Sequence, residues 1–138
     1  MRFNFTVEAD NSEEVMRQIY EKLEMAMDAV GETAASVAAG KTPVDTGVLR
    51  NSITNAVTRD GSKVSAHIGT NVKYAIYHEL GTGIYATNGN GRKTPWVYKG
   101  TDGKWHRTRG VAAKHFLQFG IQSHAKDYLN TIKNYLMW

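Results

Sequence analysis

Val15, Ile19, Leu23, Ala26, Met27, Val30, Ala34, Val37 and Ala38 recur at steps of three and four. This is the spacing of one amphipathic helix of about seven turns. Ahead of it, Phe3, Phe5 and Val7 alternate with Arg2, Asn4 and Thr6, the period of a half-buried strand. Between them, Asp10, Asn11 and Ser12 offer N-cap side chains, and Glu13 and Glu14 suit a helix N-terminus. Gly40 is placed to cap the helix and Pro43 prevents its continuation. Met16, Met25 and Met27 read as core filler.

The rest of the chain is more broken. Thr42 to Gly47 forms a turn, with Asp45 or Thr46 as cap of a short helical turn through Val48, Leu49 and Arg50. Ile53–Val57 and Lys63–Ile68 read as a β-hairpin, with Val64, Ala66 and Ile68 alternating on the second strand and Asp60-Gly61 as the turn signal. Tyr74 to Leu80 is a helical turn stopping at Gly81. A second small hairpin joins Trp96–Lys99 to Lys104–Arg107 across Gly100-Thr101-Asp102-Gly103. Helical spacing returns at Phe116, Leu117, Ile121, Ala125, Tyr128, Leu129, Ile132 and Leu136. Gly120 lowers helix propensity by about 1 kcal/mol, so the helix is expected to start properly only after it. Residues 1–138 are expected to form a single α+β domain. A small antiparallel sheet packs against a long N-terminal helix and a C-terminal helix, with a long basic loop or hairpin at about 81–110.

Composition narrows the class. The 138 residues contain no cysteine, which removes disulfide scaffolds and thiolate chemistry. No signal peptide is read at the N-terminus, and no stretch approaches the ~18 apolar residues of a membrane span. A soluble product made in the cytoplasm, with no membrane partner, is expected. Net charge is +4, but residues 1–40 carry three bases against eight acids, and residues 41–138 carry fourteen bases against five acids. A chain polarised this way suits an anionic partner or head-to-tail contact between copies.

Catalytic patterns are missing. The five histidines, at 67, 78, 106, 115 and 124, stand in no metal-ligand spacing. His115 and His124 would fall on opposite faces of one helix. There is no nucleophile elbow and no phosphate-binding loop. A hydrolase or nuclease built on His78, Glu79 and His106 is the enzyme alternative; the expectation is no enzyme, cofactor or metal. The strongest signal is residues 91–110, with six bases (Arg92, Lys93, Lys99, Lys104, Arg107, Arg109) and one acid, Asp102. Trp96, Tyr98 and Trp105 interleave with them. Such a mixture suits a protein interface, phosphate contact with base stacking, or a solvated hairpin with paired aromatics.

Two blocks carry a family resemblance. Lys41-Thr42-Pro43-Val44-Asp45-Thr46-Gly47-Val48-Leu49-Arg50-Asn51-Ser52-Ile53 resembles the Pro-x-Asp-Thr-Gly-x-Leu-x-x-Ser-Ile signature of small tail-completion, or head–tail joining, proteins of long-tailed bacteriophages. Tyr74-Ala75-Ile76-Tyr77-His78-Glu79-Leu80-Gly81-Thr82 is similar to that family's second block. Phe116-Leu117 stand where a Pro-Phe-Leu run is usual, but His115 replaces the proline. The resemblance covers roughly residues 40–135. It casts Pro43, Asp45, Thr46, Gly47, Leu49, Ser52, Tyr74, Glu79, Gly81 and Thr82 as scaffold, with Glu79 accepting hydrogen bonds from the following turn. Arg92, Lys93, Trp96, Tyr98, Lys99, Lys104, Trp105, Arg107 and Arg109 are then the partner-binding loop, unfixed in shape until assembly. The resemblance implies a structural virion protein that completes the tail and joins it to the DNA-filled head. Its partners would be head-completion or stopper proteins, tail-terminator or tail-tube proteins, and its own copies in a ring, with a monomer in isolation and contact with the viral DNA. A nucleic-acid-binding module using the 91–110 hairpin is the alternative.

Overall fold

The structure, a computed structural model, describes residues 12–43 and 47–137. The expected strand at Phe3–Val7, the caps at Asp10 and Asn11, and the roles given to Asp45 and Thr46 lie outside these residues. The fold is α+β. A long helix α1 (Ser12–Lys41) is followed by a short α2 (Val48–Ser52), a hairpin β1 (Thr54–Asp60) and β2 (Lys63–Gly69), and a short α3 (Ala75–Leu80). After a 3-10 turn at Gly83–Tyr85 comes a second hairpin, β3 (Trp96–Lys99) and β4 (Trp105–Thr108), and then α4 (Phe116–Gln122) and α5 (Ala125–Leu136). Both hairpins are antiparallel, and they form two separate two-stranded sheets rather than one.

The apolar stripe of α1 organises the rest, because β1, β2, α4 and α5 all pack against it. Leu23, Ala26, Val30 and Ala34 join Tyr128 and Ile132 of α5 in one buried cluster, with Val64 and Ile68 of β2 against it. Ala38 joins Leu49, Ala75 and Phe116 in a second cluster, and Ile68 touches both. Phe116 is fully buried, worth roughly 1.5–3 kcal/mol over an exposed ring. The hairpin is fastened to α1 by polar contacts as well. Asn55 Nδ2 donates to Asp28 Oδ1 at 3.0 Å, and the Arg59 guanidinium lies 3.9 Å from the Tyr20 ring centroid.

Several elements differ from expectation in instructive ways. Gly40 lies inside α1, which ends at Lys41; there Thr42 is buried, its N–H and hydroxyl both donating to the Ala39 carbonyl. Gly47, at φ 79, holds the N-cap position of α2. Asp60 pairs with Lys63, so the turn residues of the first hairpin are Gly61 and Ser62. Met25 is 60% exposed and fills no core. The C-terminal helix is two helices, broken at Ser123 and His124, and it starts at Phe116 with Gly120 within it. Gly120 sits in α4 because a β-carbon there would stand 2.6 Å from the Ala34 carbonyl oxygen and 2.7 Å from the Ala38 Cβ. Close helix contact outweighs the propensity cost.

Candidate partner-binding surface

The two signature blocks meet at the base of the 81–110 segment. Leu49 is buried, and the Ser52 hydroxyl contacts the Leu49 carbonyl at 2.6 Å and the Thr70 hydroxyl at 2.5 Å. Pro43 follows the buried Thr42 at the end of α1. Tyr74 stays exposed, its ring edge-on to His78 at 5.9 Å, so within the second block the buried apolar contribution comes from Ala75.

Glu79 does not bind the turn that follows it. Its carboxylate accepts the backbone N–H groups of Leu117 at 2.8 Å and Gln118 at 3.2 Å. These are early N–H groups of α4, left without intrahelical partners. The residue at that helix's own N-cap position cannot serve them, because His115 is at φ 47 with no side-chain cap bond. An acid 38 and 39 residues away in the sequence from the groups it binds therefore caps α4 from α3 and complements its dipole. The sequence departure at this position now has a physical sense. Proline is locked near φ −65°, whereas histidine tolerates the left-handed region better than most side chains.

From this base the chain leaves and returns along two closely apposed limbs. Lys114 N–H donates to the His78 carbonyl at 2.6 Å and His115 N–H to that of Glu79 at 3.2 Å. Thr82 N–H donates to the Val111 carbonyl at 2.9 Å, and its hydroxyl accepts the Val111 N–H at 2.8 Å. At Gly83, φ 62, a β-carbon would lie 1.9 Å from the Arg109 carbonyl oxygen, and at Gly110 one would lie 2.0 Å from that of Thr82. Glycine is required there for contact between backbones. Between Asn88 and Lys93 the hydrogen bonds are local: Asn90 N–H to Asn88 Oδ1, and Lys93 Nζ to the Gly89 carbonyl.

Beyond the limbs stands the β3–β4 hairpin, which contributes no residue to either buried cluster. Its register pairs Trp96 with Thr108, Val97 with Arg107, Tyr98 with His106 and Lys99 with Trp105. Alternation therefore splits the candidate residues between two faces. On one, Tyr98 stacks on His106 at 5.4 Å, and the Arg92 guanidinium lies 5.6 Å from the Trp96 ring centroid. On the other, Val97, Lys99, Trp105 and Arg107 are all exposed. Asp102 closes the turn by accepting the Lys104 N–H at 2.9 Å and facing His106 Nε2 at 3.0 Å; these bonds, the backbone one first, lower its pKa. Lys93, Lys104 and Arg109 are exposed as well, so only Trp96 among the nine candidates is half-buried.

Of the three residues of the enzyme alternative, two are engaged elsewhere. Glu79 caps α4, His106 pairs with Asp102 in the hairpin turn, and His78 has a buried Nδ1 with no hydrogen-bond partner among the described residues. Among those residues no group of three or more His, Asp or Glu side chains is placed to hold a metal. Nor is any helix among them long and apolar enough to cross a membrane.

Fold and surface together define a small α+β protein built on one long helix, with an exposed basic and aromatic extension on an anchored base. A family described as "Bacteriophage HK97-gp10, putative tail-component" matches residues 9–81, just over half the chain, and the chain belongs to this HK97-gp10-like family. No curated protein and no solved structure matches it. The match takes in α1, which carries no short motif, the first signature block, and the second as far as Gly81. It stops at Gly81, where the extension begins. Membership makes the protein a bacteriophage tail component, a structural part of the virion that works against other virion proteins.

Proposed function

We propose that this protein works at the head–tail junction, completing the tail and joining it to the DNA-filled capsid as one subunit of a homo-oligomeric ring. The observation that carries the reading is the division of the chain. A body built on α1, α2, α3, α4 and α5 supplies both buried clusters, its last two helices lying beyond the family match, and an extension with clamped ends supplies exposed cations and aromatics but no residue of either cluster. Basic and aromatic side chains on an exposed projection are the usual anchors of a partner interface. The head-completion and tail-terminator or tail-tube proteins are the partners this surface would meet.

Charge reversal at Arg92, Lys93, Arg107 and Arg109 tests it. Phage carrying that variant are expected to give full heads and finished tails that fail to join, seen by electron microscopy, while the purified variant melts like the wild type. Normal joining would remove the extension from the mechanism. Exposure of Trp105 beside Arg107 also supports a second reading, contact with the DNA in the channel. That reading requires affinity for duplex DNA that falls steeply with salt, which a gel-shift titration measures.

A further inference from the structure

The outward face of the β3–β4 hairpin is a small amphipathic platform that none of the described residues covers. Trp105 is 71% exposed and Val97 59%, and among the described residues neither Lys99 nor Arg107 makes an ion pair. The register sets Val97 beside Arg107 and Lys99 beside Trp105, so apolar and cationic side chains alternate at the corners of one patch. Charges across its diagonal are about 7–8 Å apart at the backbone, and two long side chains extend that reach.

The same molecule carries a complementary surface. Glu14, Glu21, Met25, Asp28 and Glu32 follow one another along α1 at steps of seven, four, three and four, which places them on one side of the helix. All five are exposed. Arg17 pairs with Glu14 and Glu21, and Asp28 accepts a bond from Asn55. Four acids against Arg17 still leave this face strongly negative. Met25, 60% exposed, stands in the middle, one turn from Glu21 and one from Asp28. Those two acids are about 10.5 Å apart along the axis, within reach of Lys99 and Arg107 when Trp105 covers the methionine. An apolar centre inside a charged rim is the anatomy of a protein interface.

We propose that the outward face of the hairpin docks on the acidic face of α1 in a second copy of this chain. The two surfaces differ, so the contact is head-to-tail, and repetition closes a ring or extends a filament. The proposal rests on the reading of this chain as a repeated virion subunit, and it names the surfaces through which the copies meet.

Sedimentation velocity over a range of concentrations, at low and at high salt, tests it. The wild type is expected to associate at low salt and to dissociate as salt rises. Lys99→Glu with Arg107→Glu, and separately Glu21→Lys with Glu32→Lys, should each weaken association by about tenfold or more. An equal mixture of the two variants should associate again, because each restores the other's missing sign. Trp105→Ser and Met25→Ser should weaken association without changing charge, which keeps the test open if a charge variant melts early. Several results would overturn the proposal: a wild type monomeric at every concentration, charge variants that associate like the wild type, a mixture that stays monomeric, or a hairpin variant that loses only DNA binding. A phage that joins heads to tails without this protein, while the purified chain still associates through these faces, would refute the junction role and leave the self-contact standing.

Discussion

Alanine is the better helix former by about 1 kcal/mol, yet at Gly120 it would drive a methyl group to 2.6 Å from the Ala34 carbonyl oxygen. Gly120→Ala should therefore destabilise the protein, by about 1–3 kcal/mol, and urea denaturation would measure it. Glu79 is the second residue whose value comes from its neighbours. Glu79→Gln keeps the shape but weakens two charge-assisted bonds to the start of α4. A loss of about 1–2 kcal/mol is expected, seen as a lower melting temperature. Tyr128 adds a pH dependence. Its buried hydroxyl donates to the Gly120 carbonyl, and burial first, then the Asp127 charge, raises its pKa. A group raised on folding stabilises fully below its unfolded value and loses that contribution as pH rises through the folded one. Tyr128→Phe should be less stable by about 1 kcal/mol at neutral pH, and the gap should narrow above about pH 10.

At the scale of elements, the two hairpins have opposite status. β1–β2 is fixed by packing on α1, through Val64 and Ile68 below and through Asn55 and Arg59 at its edge. β3–β4 is held by its own ladder and by the clamp beneath it, where Thr82 and Gly83 meet Arg109, Gly110 and Val111. Replacing residues 96–108 with a short Gly-Ser linker should leave the thermal midpoint nearly unchanged by circular dichroism. In the intact protein, amides from Asn88 to Lys93 should exchange with solvent far faster than those of α1, because few of their bonds reach outside the segment.

At the scale of the molecule, charge and fold combine into polarity. The acids of α1 and the bases of the extension stand on different elements of one chain, and that separation underlies both the junction role and the contact between copies. Fourfold charge reversal at Arg92, Lys93, Arg107 and Arg109 acts on this polarity. It should abolish joining without altering stability, because Arg92, Lys93, Arg107 and Arg109 are exposed and lie outside both buried clusters.

Much of this was legible from residue order. The amphipathic period of α1, both hairpins, the stop of α3 at Gly81 and the two signature blocks depend on local periodicity and turn chemistry, which nearby residues determine. The concentration of cations between 91 and 110 is equally a property of composition. What only the tertiary structure decided depends on residues far apart in the chain. The break between α4 and α5, Gly120 inside a helix against Ala34, Glu79 as the cap of α4, the exposure of Met25, and the division of the hairpin's candidate residues between two faces were all settled by packing and register. Spacing reveals which residues share a face of one element, but which face meets another element depends on the free energy of the whole assembled core.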